Sequence, residues 1–81
     1  MSGKLTKSRE RVLSAIVAAG GKATPYKLGH PRSNMMHELV MAGWVSIEGQ
    51  VNAWGEPRAI DGFYEITPAG RAALEPHHAN P

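Results

Sequence analysis

The 81-residue chain contains no cysteine. This absence excludes disulfide bonds, thiolate metal ligands and a thiol nucleophile together. Chains of this size bury only about 60–65% of their unfolded surface, and many rely on disulfides or a metal for stability. The hydrophobic core therefore has to hold this fold by itself, and the length predicts a single domain.

Long apolar runs are missing as well. No stretch approaches the roughly 18–20 apolar residues that span a bilayer, and residues 1–7 lack the apolar segment of a signal peptide. The sequence therefore predicts a cytoplasmic protein without a membrane partner.

Recognisable catalytic and cofactor motifs are also absent. The glycine-rich stretches match neither a phosphate-binding loop nor a dinucleotide fingerprint. Ser33 and His37 are one helical turn apart, but no carboxylate is placed to orient the imidazole. His77 and His78 are adjacent without a third metal ligand. We therefore expect no enzyme, no metal and no cofactor.

Each half of the chain is short of charge of one sign. Residues 1–32 hold seven of the nine cations and one acid, a balance of +6, whereas residues 33–81 hold two cations and six acids, a balance of −4. The net charge of +2 hides this asymmetry. A basic half is typical of a surface that attracts a polyanion, although solvated charge without a partner explains it equally well.

The first 30 residues predict two helices of unequal length. Residues 6–19 place their apolar side chains in one sector at a helical period, and Gly20 stops this amphipathic helix. Thr24 followed by Pro25 is an N-cap with proline at the first helical position. This pair predicts a second, very short helix over residues 25–29.

A third helix is predicted over residues 32–42, opened by Pro31 and ended by Gly43. Apolar residues form its inward stripe, so one face of the helix packs. Polar residues recur at three- and four-residue spacing on another side, where they are available to a partner. With Met41, the residues on that side are His30, Ser33, Asn34 and His37.

The hydrophobic period changes after Gly43. Residues 44–51 alternate loosely, as in a half-buried strand, and residues 63–66 form the returning strand of a hairpin with a long tip. Thr67 and Pro68 then open a last short helix over residues 68–74, which Gly70 is expected to weaken.

These elements predict one domain over residues 6–75, between a flexible N-terminus at residues 1–5 and a disordered tail at residues 76–81. The fold class is mainly α with a small β-hairpin (α+β). The predicted core consists of Val12, Leu13, Ile16, Leu28, Met36, Leu39, Val40, Trp44, Phe63 and Ile66.

Two segments resemble the winged helix-turn-helix family. Residues 36–45 resemble the end of the recognition helix in bacterial MarR- and PadR-like regulators, which run Leu-x-x-Leu-x-x-x-Gly and then an aromatic or aliphatic residue and Val. Residues 64–74 are similar to the close of their wing, Leu-Thr-x-x-Gly-Arg-x-x-Leu. The resemblance covers about residues 5–75 and implies the element order α-(β)-α-α-β-β-α. Gly43 and Thr67 also have purely structural reasons to be there, as a helix stop and a helix start.

The resemblance implies a small double-stranded DNA-binding protein that regulates transcription. In that geometry the third helix enters the major groove by its N-terminal half. The residues that would contact bases or phosphates there are Arg32, Ser33, Asn34 and His37. Lys22, Tyr26 and Lys27 would lie over the phosphate backbone, and Arg58 would do so from the wing. All of these residues are equally compatible with an ordinary solvated surface.

The wing favours a second interpretation. Residues 48–62 carry Arg58 among three acids, whereas wings that hold DNA usually carry several cations. Trp54 lies in the polar hairpin tip, where it either contacts a partner protein or folds back over the hairpin. The alternative is a protein-interaction module, of the kind with which a phage or mobile element blocks a host machine. The dimerisation helices of MarR proteins are not recognisable, so the oligomeric state stays open.

Overall fold

Three helices pack against one face of a three-stranded antiparallel sheet in the computed structural model, which describes residues 5–78. The strand formed by Pro57–Ile66, which is the last along the chain, lies in the middle of the sheet. The expected combination of helices and a hairpin is thus confirmed as a small α+β fold. In chain order the elements are α1 (Lys7–Ala18), β1 (Lys22–Ala23), α2 (Ser33–Met41), β2 (Val45–Val51), β3 (Pro57–Ile66) and α3 (Pro68–His78).

Helix α1 begins and ends within one residue of its predicted bounds. The Thr6 side chain accepts a hydrogen bond from the Arg9 backbone N–H at 3.3 Å, which satisfies a donor of the first turn. Leu13 and Ile16 are fully buried, so the predicted apolar sector does face the core. Leu5, predicted in the flexible N-terminus, also packs against that core.

Residues 25–29 form successive turns, so the predicted second helix is wrong. The Thr24 hydroxyl does accept a hydrogen bond from the Lys27 N–H at 3.1 Å, as an N-cap does. The Leu28 N–H donates to the Thr24 carbonyl at 3.1 Å with helical spacing, but the next two N–H groups, of Gly29 and His30, donate to Tyr26 and Pro25 instead, so no regular helix forms. Gly29 and His30 then have positive φ, 80° and 55°, which ends the turns. The turn is held against β3, since the Tyr26 N–H donates to the Ala59 carbonyl at 3.1 Å.

Helix α2 is one residue shorter at each end than predicted. Gly43 ends the chain's helical path with φ of +79°, and the Trp44 N–H donates back to the Leu39 carbonyl at 3.0 Å. The predicted glycine stop is confirmed. His30 lies outside this helix and is not part of its polar side.

The prediction of Phe63 in the core is wrong. Successive side chains of a strand point to opposite faces, and Tyr64 and Ile66 are the buried ones. Phe63 therefore lies on the outer face of the sheet, where the Lys22 ammonium is 5.2 Å from its ring centroid. Strand β3 also begins at Pro57, six residues before the predicted start, so the hairpin tip is short.

Helix α3 begins at the predicted Thr67–Pro68 signal and continues to His78. Residues 76–78, predicted as part of a disordered tail, are therefore helical. The rest of that predicted tail and residues 1–4 of the predicted flexible N-terminus lie outside the described residues. The Thr67 hydroxyl joins two segments, because it donates to the Gly43 carbonyl at 2.6 Å and accepts from the Gly70 N–H at 3.0 Å.

The core lies between the helices and the inner face of the sheet. Five predicted core residues are buried, namely Leu13, Ile16, Met36, Leu39 and Ile66. Four more, Val12, Leu28, Val40 and Trp44, are partly buried against that cluster. The prediction missed Ala23, Val45, Tyr64 and Leu74. Within residues 5–78 no helix has the length and apolar character needed to cross a membrane.

Candidate nucleic-acid interface

The N-terminal half of α2 presents a polar surface to solvent. Ser33, Asn34 and His37 are exposed, whereas Met36 and Leu39 on the other side of the same helix are each 1% exposed. Arg32, directly before the helix, is exposed as well. Four of the predicted contact residues are therefore brought together at one end of α2.

The other flank of α2 is joined to α1. Glu38 is exposed on α2, but its carboxylate forms an ion pair with the Arg9 guanidinium of α1. This acid is therefore partly neutralised within the protein, and it adds less repulsion toward a polyanion than its sequence position suggests.

The turn that precedes α2 carries two of the predicted phosphate contacts. Tyr26 is 67% exposed, and its ring meets the His30 ring edge to face with centroids 5.9 Å apart. Lys27, the next residue, is exposed. Because Tyr26 is hydrogen-bonded to Ala59, this turn lies beside Arg58 at the start of β3.

Lys22 stands apart from the other predicted contacts. It lies on β1 rather than at a helix, and its ammonium covers Phe63 on the outer face of the sheet. The helices, including α2, pack on the opposite face. The structure therefore does not bring Lys22 to the α2 surface.

Arg58 is paired within the hairpin. Its Nε lies 3.4 Å from Oδ1 of Asp61, and that oxygen has no hydrogen-bond partner among the described residues. Both side chains are about half exposed, so the pair adds little stability. The acid nevertheless offsets the charge of Arg58. With one cation and three acids, residues 48–62 carry a net negative charge, which repels phosphate.

The hairpin tip is organised by Asn52. Its Oδ1 accepts hydrogen bonds from the backbone N–H groups of Trp54 at 2.9 Å and of Glu56 at 3.0 Å, as in turns built on asparagine. Trp54 is 82% exposed. The tip therefore holds the Trp54 backbone in place and leaves its indole in solvent rather than folded into the core.

A groove of about 120 Å³ separates α2 from the hairpin tip. The two strands behind it contribute Ile47 and Tyr64. Burial, and then the nearby Glu56 carboxylate, raise the pKa of the Tyr64 phenol above its ordinary value of 10.0. The groove is lined by Ser33, Met36, His37 and Val40 of α2, by Ile47 and Tyr64, and by Trp54, Gly55 and Glu56 of the tip.

Sequence reasoning missed Glu56 and Tyr64 as parts of a site. The strand alternation was the available signal for Tyr64, because it turns this residue inward beside Ile47. Glu56 offered no local signal, since its position depends on how the tip folds toward α2. In the described part of the chain, no three His, Asp or Glu side chains are grouped so that they could hold a metal ion.

No protein-family model, curated protein or solved structure matches this chain.

Proposed function

We propose that this chain is a winged helix domain that binds double-stranded DNA through α2 and acts in transcription regulation. The observation that carries the proposal is the exposed polar half of α2. Ser33, Asn34 and His37 project from a helix whose other side is anchored by Met36 and Leu39. A helix held in this way can enter the major groove without unfolding its own core.

The order of elements supports the winged helix proposal. A first helix, a short strand, a turn, the exposed helix, a hairpin and a last helix follow one another, with the short strand β1 beside β3. Winged helix domains have a second helix at this point of the chain, whereas residues 25–29 form successive turns here.

The side chains on α2 have the chemistry for reading bases. The Asn34 amide offers a donor and an acceptor, which suits adenine, and the Arg32 guanidinium suits guanine. Ser33 and His37 can bond to base edges or phosphates. Lys27, on the preceding turn, has only an ammonium to offer and would position the domain on phosphate.

The decisive experiment is a fluorescence-anisotropy titration of a random DNA duplex at several salt concentrations. If about three to five phosphates are neutralised, log affinity falls against log salt with a slope of about −3 to −4.5. Lack of affinity even at the lowest salt concentration would reject the proposal.

Three variants then separate reading from positioning. We expect Asn34→Ala to lose about 1–3 kcal/mol of binding free energy for a preferred sequence selected from a random pool, and little for random duplex. Lys27→Ala weakens binding to both duplexes and makes the salt slope about one unit shallower. Lys22→Ala is the matched control, because it removes the same charge from the outer face of the sheet. If Asn34→Ala loses the same affinity for the preferred sequence as for random duplex, α2 does not read bases.

A protein-interaction module is the second candidate. The observation that favours it is the 82% exposure of Trp54 at a tip whose backbone is held by Asn52. Tryptophan is enriched among the residues that dominate protein interfaces. This candidate predicts that a partner protein binds the parent chain and the Lys27→Ala variant but does not bind the Trp54→Ala variant.

A further inference from the structure

The groove between α2 and the hairpin tip combines an aromatic wall with a carboxylate. Trp54 and Glu56 line it from the tip, and the nearly buried Tyr64 lines it from the sheet. Among the lining residues that the structure describes, Glu56 carries the only formal charge when histidine is neutral. An anion such as phosphate is therefore disfavoured in this groove, and a cation is favoured.

We propose that this groove binds an arginine side chain of a partner protein, with the guanidinium against Trp54 and hydrogen-bonded to Glu56. The proposal goes beyond DNA binding and does not depend on it. It gives the protein-interaction alternative a defined chemistry.

The chemistry of the groove favours a guanidinium over other cations. A guanidinium is planar and weakly hydrated, so that it stacks on an indole face and at the same time donates to a carboxylate. A lysine ammonium is a compact, strongly hydrated charge that uses only one of these contacts well. With a volume of about 120 Å³, the groove is too small to hold a folded segment.

The surroundings of the groove favour a side chain on a protein over a free small molecule. Trp54 is 82% exposed and Met41, one turn along α2 from His37, is 72% exposed. A free guanidinium compound would cover only the part of Trp54 that lines the groove and would leave Met41 in water. Residues on either side of an arginine in a partner chain would cover them, and that burial adds to the affinity.

The first test is an NMR titration of the full chain with N-acetyl-arginine amide and with N-acetyl-citrulline amide, its neutral counterpart of nearly the same shape. We expect the arginine compound to bind about tenfold more tightly or better, because a charged donor roughly doubles the strength of a hydrogen bond. The shifted signals lie at His37, Trp54, Glu56 and Tyr64. Equal affinity for the two compounds, or shifts spread over other surfaces, would overturn the proposal.

Variants at the two carboxylates identify the group that binds the cation. In Glu56→Gln, the backbone N–H of residue 56 still donates to Asn52 Oδ1, and the glutamine Oε1 can still accept from the Asn52 amide. The tip therefore stays folded. We expect this variant to lose about tenfold in affinity for N-acetyl-arginine amide. Glu48→Gln is the matched control, since Glu48 lies on β2 opposite Phe63, on the outer face of the sheet. Equal losses in the two variants would mean general charge attraction and would reject the site.

A peptide distinguishes an arginine of a partner protein from a free guanidinium compound. Acetyl-Leu-Arg-Leu-amide is expected to bind at least about fivefold more tightly than N-acetyl-arginine amide, because its leucines cover Trp54 and Met41. Trp54→Leu, which keeps an apolar side chain but removes the aromatic face, should lower the affinity for both the peptide and N-acetyl-arginine amide. If the peptide and the single residue bind equally, the groove belongs to a free guanidinium compound and the protein partner is rejected.

Discussion

Gly70 shows at the scale of one residue how a contact overrides local propensity. A Cβ at this position would overlap the Trp44 carbonyl oxygen and lie 2.8 Å from the Ile66 side chain. The start of α3 is held there by Thr67, which donates to the Gly43 carbonyl. The glycine is therefore required for the close approach of α3 to the end of α2.

The sign of the change in the free energy of unfolding in Gly70→Ala distinguishes the close contact with Trp44 from helix propensity. Helix propensity alone would make alanine more stable by about 1 kcal/mol. We expect instead a loss of about 1–3 kcal/mol or more, because the neighbouring atom is backbone and has to move. Urea denaturation of Gly70→Ala beside Ala72→Gly, an exposed site of the same helix, measures both effects. A higher midpoint for Gly70→Ala would show that α3 does not approach Trp44 closely.

The Tyr64 phenol is expected to couple folding to alkaline pH. Burial, and then the Glu56 carboxylate, raise its pKa above 10.0. The folded chain thus holds the phenol proton more tightly than the unfolded chain does. The stability that Tyr64 contributes in this way is therefore fully present below the pKa of the unfolded state, and it is lost as pH rises through the pKa of the folded state. Tyrosinate absorbance in a Tyr26→Phe background follows Tyr64 alone, and Glu56→Gln should lower its midpoint in part. A midpoint at or below the ordinary value in that background would contradict the burial of this phenol.

At the scale of the elements, α2 divides its two roles between its two sides. The buried side joins α2 to the sheet through Met36 and Leu39, and the exposed side is free for a partner. Substitutions on the two sides should therefore change different properties of the protein.

Leu39→Ala tests that division. Leu39 is 1% exposed, so its truncation should cost about 2–5 kcal/mol, a large part of the stability of so small a domain. Met41→Ala on the exposed side of the same helix, where Met41 is 72% exposed, should stay within about 0.5 kcal/mol of the parent. Thermal unfolding of the two variants provides the comparison. Similar melting of Leu39→Ala and the parent would show that α2 is not packed as described.

At the scale of the whole molecule, the two proposed binding surfaces share residues. Ser33 and His37 belong to the exposed half of α2 and also line the groove, where Glu56 faces them from the tip. A phosphate backbone over α2 would lie near that carboxylate. DNA and an arginine side chain are therefore expected to compete for this end of the domain.

Glu56→Gln is expected to shift the two affinities in opposite directions. Removing one partly exposed charge of the same sign as phosphate should raise the affinity for random duplex by about two- to fivefold at low salt. The affinity for N-acetyl-arginine amide falls in the same variant. Anisotropy titrations with Glu48→Gln as the control measure the first effect. Weaker DNA binding by Glu56→Gln than by Glu48→Gln would place the duplex away from the groove.

The sequence by itself determined the features that depend on neighbouring residues. The bounds of α1, the stop at Gly43, the start of α3 at Pro68 and the polar side of α2 follow from caps, glycine conformations and helical period, which act within a few residues. The predicted contact residues of α2 were consequently found together on an exposed surface.

Only the tertiary structure decided the features that depend on distant residues. Strand alternation places Phe63 and Tyr64 on opposite faces, but the pairing of β3 with both other strands decides which face meets the helices, and a shift of one residue reverses it. The turn at residues 25–29 is held by Ala59, and Lys22 is separated from α2 by the sheet. The groove joins Ser33 to Glu56 for the same reason. Contacts between segments more than 20 residues apart depend on register and packing, which no local pattern in the chain encodes.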